Sequence, residues 1–333
     1  MRLFDAIVQS AACVPCSAEQ ALLDFGLPRA AVHANELERC PKRYVLDDNL
    51  TRICTALAFS EGDRLHSCLD LIRLPISPLW VEWPDAIHLE AVRLAGFAES
   101  HTGASPESLR AGVLIASGNT ARCGEIRTFW SQRGAEWVPY VAPTLIMFDL
   151  DGDLEPAGPE TEVFERGTFG VHASGFEALT PVFANLRLKL EPPWAAHYRS
   201  GAVDRGRRLH ILESCGTAVA SSVPMLLAFL LLLNSKSALQ QRDSQLQRLN
   251  RSRARAGKRA LLDHTEVAMA IDGTSHALSA VEPTARRGSR LHHVRGHLVR
   301  RGSAVFWRMP HLRGHVRFGA IRSQTVKFRF ESN

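Results

Sequence analysis

Eleven consecutive residues, Val223–Leu233, form the longest apolar run and constrain the fold more than any other segment. Ser222 can cap a helix here, and Pro224 lies in the first turn, where its missing N–H costs little. Because residues 225–233 are apolar on every side, the helix is predicted to be buried. A membrane-spanning helix needs about 20 residues, so the run favours a core helix over a membrane anchor.

The same helix is predicted to continue past Asn234 as a basic surface helix. Beyond that residue the pattern turns polar and leaves Leu239, Leu246 and Leu249 on a narrower apolar face. Gly257 is a suitable C-terminal stop. The last turns carry Arg248, Arg251, Arg253 and Arg255. Basic side chains near a helix C-terminus complement the helix dipole, and they are equally suited to contact phosphate.

The remaining patterns predict short helices and a sheet. Helical patterns cover Ala30–Cys40 and Leu50–Phe59, and short apolar stretches between Gly and Pro turns are typical of strands. The predicted strands are Leu79–Trp83, Ile87–Leu94, Val113–Ala116, Glu125–Trp130, Trp137–Phe148, Val163–Val171, Leu186–Leu190 and Glu266–Ile271. We therefore expect an α+β fold: N-terminal helices, a central mostly antiparallel sheet, one long helix and a basic C-terminal β unit.

These elements fall into three regions along the 333 residues, a length that suits one large or two ordinary domains. The regions are helical 1–72, β-rich 73–215, and 216–333 with the long helix and the basic β unit, either as separate units or as one continuous domain. Seven cysteines, an odd number, argue against a secreted disulfide scaffold. Asp5 interrupts the apolar stretch Leu3–Val8, so no secretory signal is visible. We expect a cytoplasmic protein with no membrane partner.

The formal charge of +6 conceals a strong asymmetry. Residues 235–333 hold 20 of the 40 Lys and Arg but 6 of the 34 Asp and Glu, a net charge of +14, so residues 1–234 carry −8. Such asymmetry indicates a nucleic acid or an acidic protein as partner. The alternative is that the two parts neutralise each other within one fold.

Two near-identical pentapeptides lie in the basic part, His293–His297 and His311–His315. Between them, a turn at 301–303 is predicted to join strands at 298–299 and 304–307 as a hairpin. Arginine offers a planar fork that matches phosphate, and Phe306 and Trp307 add a surface for stacking bases. The candidate nucleic-acid-binding residues are Arg251, Arg253, Arg255, Lys258, Arg295, Arg300, Arg301, Trp307, Arg313 and Arg317. DNA is the expected polymer, ahead of RNA.

Two other interpretations of this segment stay open. His293, His297, His311 and His315 could act as acid–base or metal groups in an enzyme with a phosphate-containing substrate. The glycine before the second histidine of each pair disfavours the helix that would bring both rings together, so we expect no metal and no other cofactor. The third interpretation is a structural or interaction protein whose basic segment docks an acidic partner.

Two segments with acidic residues invite a catalytic interpretation. Residues 146–153, with Asp149 and Asp151, are similar to the first motif of haloacid-dehalogenase-type phosphatases, which implies an aspartate nucleophile and magnesium. A hairpin turn at Asp151 and Gly152 explains the same residues. Glu82, between two tryptophans, is expected to share a strand face with Trp80 and to be a paired surface residue.

Several blocks together resemble uncharacterised proteins encoded by bacteriophages and prophages. They are LHHVRGH at 291–297, FWRMPHLRG at 306–314, the final VKFRF, the stretch 249–264 and LPISPLWVEW at 74–83. The resemblance implies a mobile-element origin and a location in the host cytoplasm. It implies no reaction and assigns no catalytic residue.

Overall fold

A computed structural model of the chain provides the structure. It describes residues 1–13, 30–95, 108–152, 161–163, 186–191, 222–235, 238–270, 290–294, 296–302, 304–308, 311–313 and 315–320. Within these ranges, the description of residues 12–13, 161–163, 290–294 and 311–320 covers the backbone. No helix in the described ranges is long and apolar enough to cross a membrane.

The fold is α+β, and its N-terminal part is mainly helical, as predicted. The α-helices in the described ranges are α1 (Leu3–Cys13), α2 (Ala34–Arg39), α3 (Asp48–Ser60), α4 (Gly62–His66), α5 (Asp85–Leu94), α6 (222–233) and α7 (Gln247–Arg255), with 3-10 turns at Ala30–His33 and Leu69–Leu71. Asp47 caps α3 by accepting the Leu50 N–H at 2.7 Å, which satisfies a donor that the first helical turn leaves unpaired.

Among the described residues, one sheet of nine strands organises the chain, and two smaller sheets follow it. The strands are β1 (Lys42–Leu46), β2 (Leu79–Pro84), β3 (Ser108–Ser117), β4 (Cys123–Gln132), β5 (Tyr140–Asp149), β6 (Thr161–Val163), β7 (Leu186–Leu190), β8 (Leu239–Asp243), β9 (Thr265–Met269), β10 (Arg290–Val294), β11 (His297–Arg301), β12 (Ala304–Arg308), β13 (His311–Arg313) and β14 (His315–Ala320). The order of the large sheet is β6-β7-β5-β4-β3-β2-β1-β9-β8, with strands from all three regions of the sequence. Strand β1 pairs in parallel with β2 and β9, and the other pairings in this sheet are antiparallel.

Helices cover both faces of the large sheet and enclose two cores. The α1 core lies under α1 and α2, and the α6 core lies under α3 to α6 on the opposite face. Neighbouring residues on β2 divide between them, since Trp80 belongs to the α1 core and Val81 to the α6 core. This division follows the two-residue period of a strand.

The predicted buried helix at 223–233 is confirmed. Residues 223–232 of α6 are almost completely buried in the α6 core, because the run is apolar on every side. Its predicted continuation into one long helix is wrong. The helix ends at Leu233, and Leu239–Asp243 instead forms β8 by pairing with β9, so the basic segment is the separate helix α7.

The strand predicted at Ile87–Leu94 is also wrong, since Asp85–Leu94 is the helix α5. Its buried residues are Asp85, His88 and Val92, which have helical spacing, and two of them are polar. His88 is fully buried and its Nδ1 lies 2.9 Å from the Thr55 hydroxyl of α3. The predicted strand Val163–Val171 lies outside the described residues apart from Val163, and the other predicted strands agree with the observed ones to within a few residues.

Candidate nucleic-acid interface

Helix α7 is a short basic helix inserted between the edge strand β8 and its partner β9. Its sequence contains four arginines and no acidic residue, and none of its residues is buried. Gly257 ends it in a left-handed conformation with φ of +64°, which a residue without a Cβ adopts most easily. The Lys258 N–H then donates to the Arg253 carbonyl at 2.9 Å and satisfies one of the last carbonyls. The predicted glycine stop is therefore confirmed.

One side of α7 is fixed by its own connecting loop. The side-chain amide of Asn250 donates to the Leu261 carbonyl at 2.9 Å and accepts the Leu261 N–H at 2.8 Å. Arg253 Nε donates to the Arg259 carbonyl at 2.8 Å. With both ends of the Asn250 amide and this Arg253 donor engaged, the loop sets which side of the helix points away from the protein.

The other side of α7 presents three arginines. Arg248, Arg251 and Arg255 are spaced three and four residues apart, which places them on one face of a helix with 3.6 residues per turn. All three are exposed, and no acidic side chain in the described ranges forms an ion pair with them. Lys258 is exposed just beyond the helix end. Their charge is therefore available to an anionic ligand.

The loop 256–264 attaches α7 to the body of the protein. The buried carboxylate of Asp5 in α1 accepts the Leu262 N–H at 2.9 Å, and Arg43 donates to the Asp263 carbonyl at 3.1 Å. Arg259 donates to the Val8 carbonyl at 3.1 Å and forms an ion pair with Glu38. Burial raises the pKa of the Asp5 carboxyl to about 6. These contacts hold the basic helix to α1, α2 and β1.

The second basic element is the predicted hairpin, which is confirmed as β11 and β12. Gly302 forms its turn with φ of +57°. Leu298 and Val305 are buried in the α6 core, and Trp307 packs against the same core. Arg300 forms two hydrogen bonds to Asp70, at 2.8 and 2.7 Å. Trp307 and Arg300 thus serve to anchor the hairpin, and Arg300 is neutralised by an acid of the first part.

The opposite face of the hairpin points away from that core. Val299 lies directly across from Phe306, whose side chain is exposed. Strand alternation places Arg301 and Arg308 on this face too, and both are exposed. We define these four residues as the outer hairpin face. Phe306 and Arg308 therefore lie on the outer hairpin face, whereas Trp307 and Arg300 lie on the face toward the core.

The two histidine pentapeptides are brought together by strand pairing. In the antiparallel pair β10–β13, His293 lies opposite Leu312 and His311 lies opposite Val294, while Arg290 pairs with His315. His297 begins β11 opposite Arg308. Arg313 and Arg317 lie on β13 and β14, whose side chains are outside the description, as is Arg295. The acid–base or metal interpretation of these histidines stays a prediction.

The two basic elements lie toward one end of the large sheet but on opposite faces. Helix α7 precedes the start of β9, and β9 pairs with β1. Leu262, in the loop after α7, packs against the α1 core, which places α7 on that face of the sheet. The hairpin contacts Asp70, next to backbone carbonyls that bind Arg122 in the β3–β4 turn. That turn lies beside the start of β2 and hence of β1. The described parts of residues 248–329 therefore provide two basic surfaces on opposite faces of the sheet.

Glu82 and Asp151 have structural roles. Glu82 is completely buried, and its carboxylate accepts hydrogen bonds from the Leu3 and Phe4 N–H groups, so it caps α1. It also forms an ion pair with Arg110. The expected face shared with Trp80 is confirmed, and the expected surface position is wrong. Asp151 follows β5 in a turn and pairs with Arg122 at 2.7 Å. This antiparallel setting differs from the parallel sheet that the phosphatase motif requires.

Two arginines of these surfaces are not among the candidate binding residues predicted from the sequence. Arg248 extends the exposed face of α7, and its spacing from Arg251 and Arg255 is visible once the helix boundaries are known. Arg308 shares the outer hairpin face with Phe306, which follows from the register of the hairpin.

Comparisons with known proteins give no relative for this chain. No family model matches it, and neither a curated protein nor a solved structure does. The candidate interface is thus defined by its own geometry and charge.

Proposed function

We propose that this protein binds nucleic acid through the arginine face of α7. The observation that carries the proposal is the division of that helix into two sides. Asn250 and Arg253 are held by the loop 256–264, while Arg248, Arg251 and Arg255 project together without acidic partners among the described residues. A helix that served only to cover the sheet would bury an apolar stripe, and α7 buries no residue.

Phosphate is the ligand group that fits this face best. Arginine binds phosphate oxygens through two parallel N–H donors, and such charge-assisted hydrogen bonds are among the stronger ones in proteins. Because the helix is already fixed to α1 and α2, little backbone entropy is lost on binding. The Asn250 amide, a group suited to reading adenine, is engaged by Leu261. The face therefore offers contacts to the backbone of a nucleic acid, without preference for sequence.

A phage- or prophage-type accessory protein would meet DNA in the host cytoplasm, so DNA is the polymer to test first. The experiment compares the parent with a triple variant, Arg248→Ala, Arg251→Ala and Arg255→Ala. A matched control removes the same charge elsewhere, through Arg52→Ala, Arg93→Ala and Arg133→Ala. Binding to a 20-base-pair duplex is measured by fluorescence anisotropy at several salt concentrations, after circular dichroism has confirmed that each variant is folded.

We expect the α7 variant to bind the duplex about 100-fold more weakly at 0.1 M salt, since three charge-assisted contacts are removed. For this variant, the slope of log K against the logarithm of the salt concentration should become shallower by about two to three units, because each lost phosphate contact removes about one unit. The control variant should stay within a factor of about three of the parent. A folded α7 variant with unchanged affinity would refute the proposal, and binding to acidic proteins but to no nucleic acid would favour the docking alternative.

A further inference from the structure

The outer hairpin face differs from α7 because it combines an aromatic ring with the arginines. Phe306 is 36% exposed, although its strand neighbours Val305 and Trp307 both pack against the α6 core. The register places Val299 directly opposite, so an apolar platform of two side chains lies between Arg301 and Arg308. An exposed ring between basic side chains is the arrangement by which proteins stack unpaired bases while holding the backbone.

Among the described residues, the unpaired positive charge of the hairpin lies on the same face as Phe306. The segment 297–308 contains three arginines and no acidic residue. Arg300 lies on the core-facing side and is neutralised by Asp70. Arg301 and Arg308 lie on the outer face, and no acid among the described residues pairs with them. The positive charge that remains on the hairpin therefore surrounds Phe306.

The hairpin holds this platform in place. Leu298, Val305 and Trp307 anchor its inner face in the core, and the bonds from Arg300 to Asp70 and to the Ser67 carbonyl fasten the turn end. Its Gly302 turn is tight. A ring carried on an anchored strand loses little freedom when a base stacks on it, which favours binding.

We infer that the outer hairpin face stacks an unpaired base on Phe306, so that the nucleic acid recognised by this protein includes a single-stranded segment. The inference rests on the proposed function and adds the class of ligand. Bases inside a duplex are covered on both sides by their neighbours, whereas an unpaired base exposes its π-face. Helix α7 contacts phosphates of either form, and the hairpin distinguishes the two.

The test uses the full-length protein with Phe306→Ala, Phe306→Trp and, as the matched control, Trp137→Ala, which removes an exposed aromatic ring outside the hairpin. The probes are a 20-nucleotide oligothymidine and a 20-base-pair duplex. We expect Phe306→Ala to weaken binding of the single strand by about 5- to 100-fold, the range for loss of one stacked base. Duplex binding should change less than twofold, and Trp137→Ala should leave both affinities near those of the parent.

Phe306→Trp provides a second readout that does not depend on a loss of affinity. Its added tryptophan fluorescence, relative to the parent, should be quenched by saturating oligothymidine and not by the duplex, because stacking on a base quenches the indole. Unchanged single-strand affinity in a folded Phe306→Ala variant, or no added quenching in Phe306→Trp, would overturn the inference. Either result leaves the α7 proposal standing, since that proposal is tested by the duplex and the arginine variant.

Discussion

Asp5 provides a direct test of how the α7 segment is attached. Its carboxylate is 4% exposed and accepts the Leu262 N–H, and burial raises its pKa from 3.8 to about 6. The folded protein therefore binds a proton more tightly than the unfolded chain does. Between about pH 4 and pH 6 the stability contributed by this group falls as pH rises, and above that range it is constant. Replacement by asparagine removes the titration and keeps an oxygen that can accept the Leu262 N–H.

The size of the effect follows from the shift. A rise in the Asp5 pKa from 3.8 to about 6 lowers the free energy of unfolding by about 3 kcal/mol at neutral pH, relative to low pH. Part of this destabilisation is already present at pH 4, where the carboxyl in the unfolded chain is about half ionised. The Asp5 contribution to stability therefore falls by about 2 kcal/mol between pH 4 and pH 7.5. The cost of burying the asparagine NH₂ group does not vary with pH and cancels in that difference.

The assay is urea unfolding of the parent and of Asp5→Asn at intervals from pH 4 to pH 8. Titrating groups that do not interact with Asp5, such as Glu36 with its lowered pKa, affect both proteins equally. The variant should gain about 2 kcal/mol over the parent between pH 4 and pH 7.5, with most of the gain below about pH 6.5. Parallel stability curves across this range would show that Asp5 has an ordinary carboxyl in the folded protein and would refute the reasoning.

Two further substitutions test the cores. Glu82→Gln should destabilise the protein by about 3 kcal/mol or more in urea unfolding. The substitution leaves Arg110 without its buried ion pair and puts an amide donor against the N–H groups of α1. An equally stable variant would show that Glu82 is not the cap of α1. Leu230→Asp should abolish the cooperative melting transition followed by circular dichroism, because it puts an unpaired charge in the α6 core; unchanged melting would contradict the burial of that helix.

Local patterns predicted those parts of the fold that local physics decides. Residues 223–233 have no polar side that could face water, so their burial follows from the sequence alone. The hairpin at 297–308 was equally visible, because its turn glycine and flanking apolar residues lie within twelve positions. Two predictions of secondary structure were wrong because contacts between distant parts of the chain decide these elements. Leu239–Asp243 is a strand because β9 lies beside it, and Asp85–Leu94 is a helix with polar residues inside.

The candidate site shows the same division. The basic character of residues 247–258 is evident in the sequence, but which arginines are exposed depends on the bonds from Asn250 to Leu261 across the loop. The sequence predicted a stacking surface of Phe306 and Trp307, and Trp307 was the one named among the candidate binding residues. Its neighbour Phe306 faces outward instead, because the core takes the face of the hairpin that carries Leu298. A one-residue alternation, set by tertiary packing, changes the residue assigned to the ligand.

The position of β1 has a consequence for the synthesis of this protein on the ribosome. One edge of β1 can pair with β2 soon after translation, but its other neighbour, β9, begins at Thr265, 221 residues after its partner Tyr44. At roughly 5–20 residues per second, those residues take about 10–40 s to appear. Throughout that time the nascent chain carries an open edge at what becomes an interior strand, which is the kind of surface that chaperones shield from aggregation.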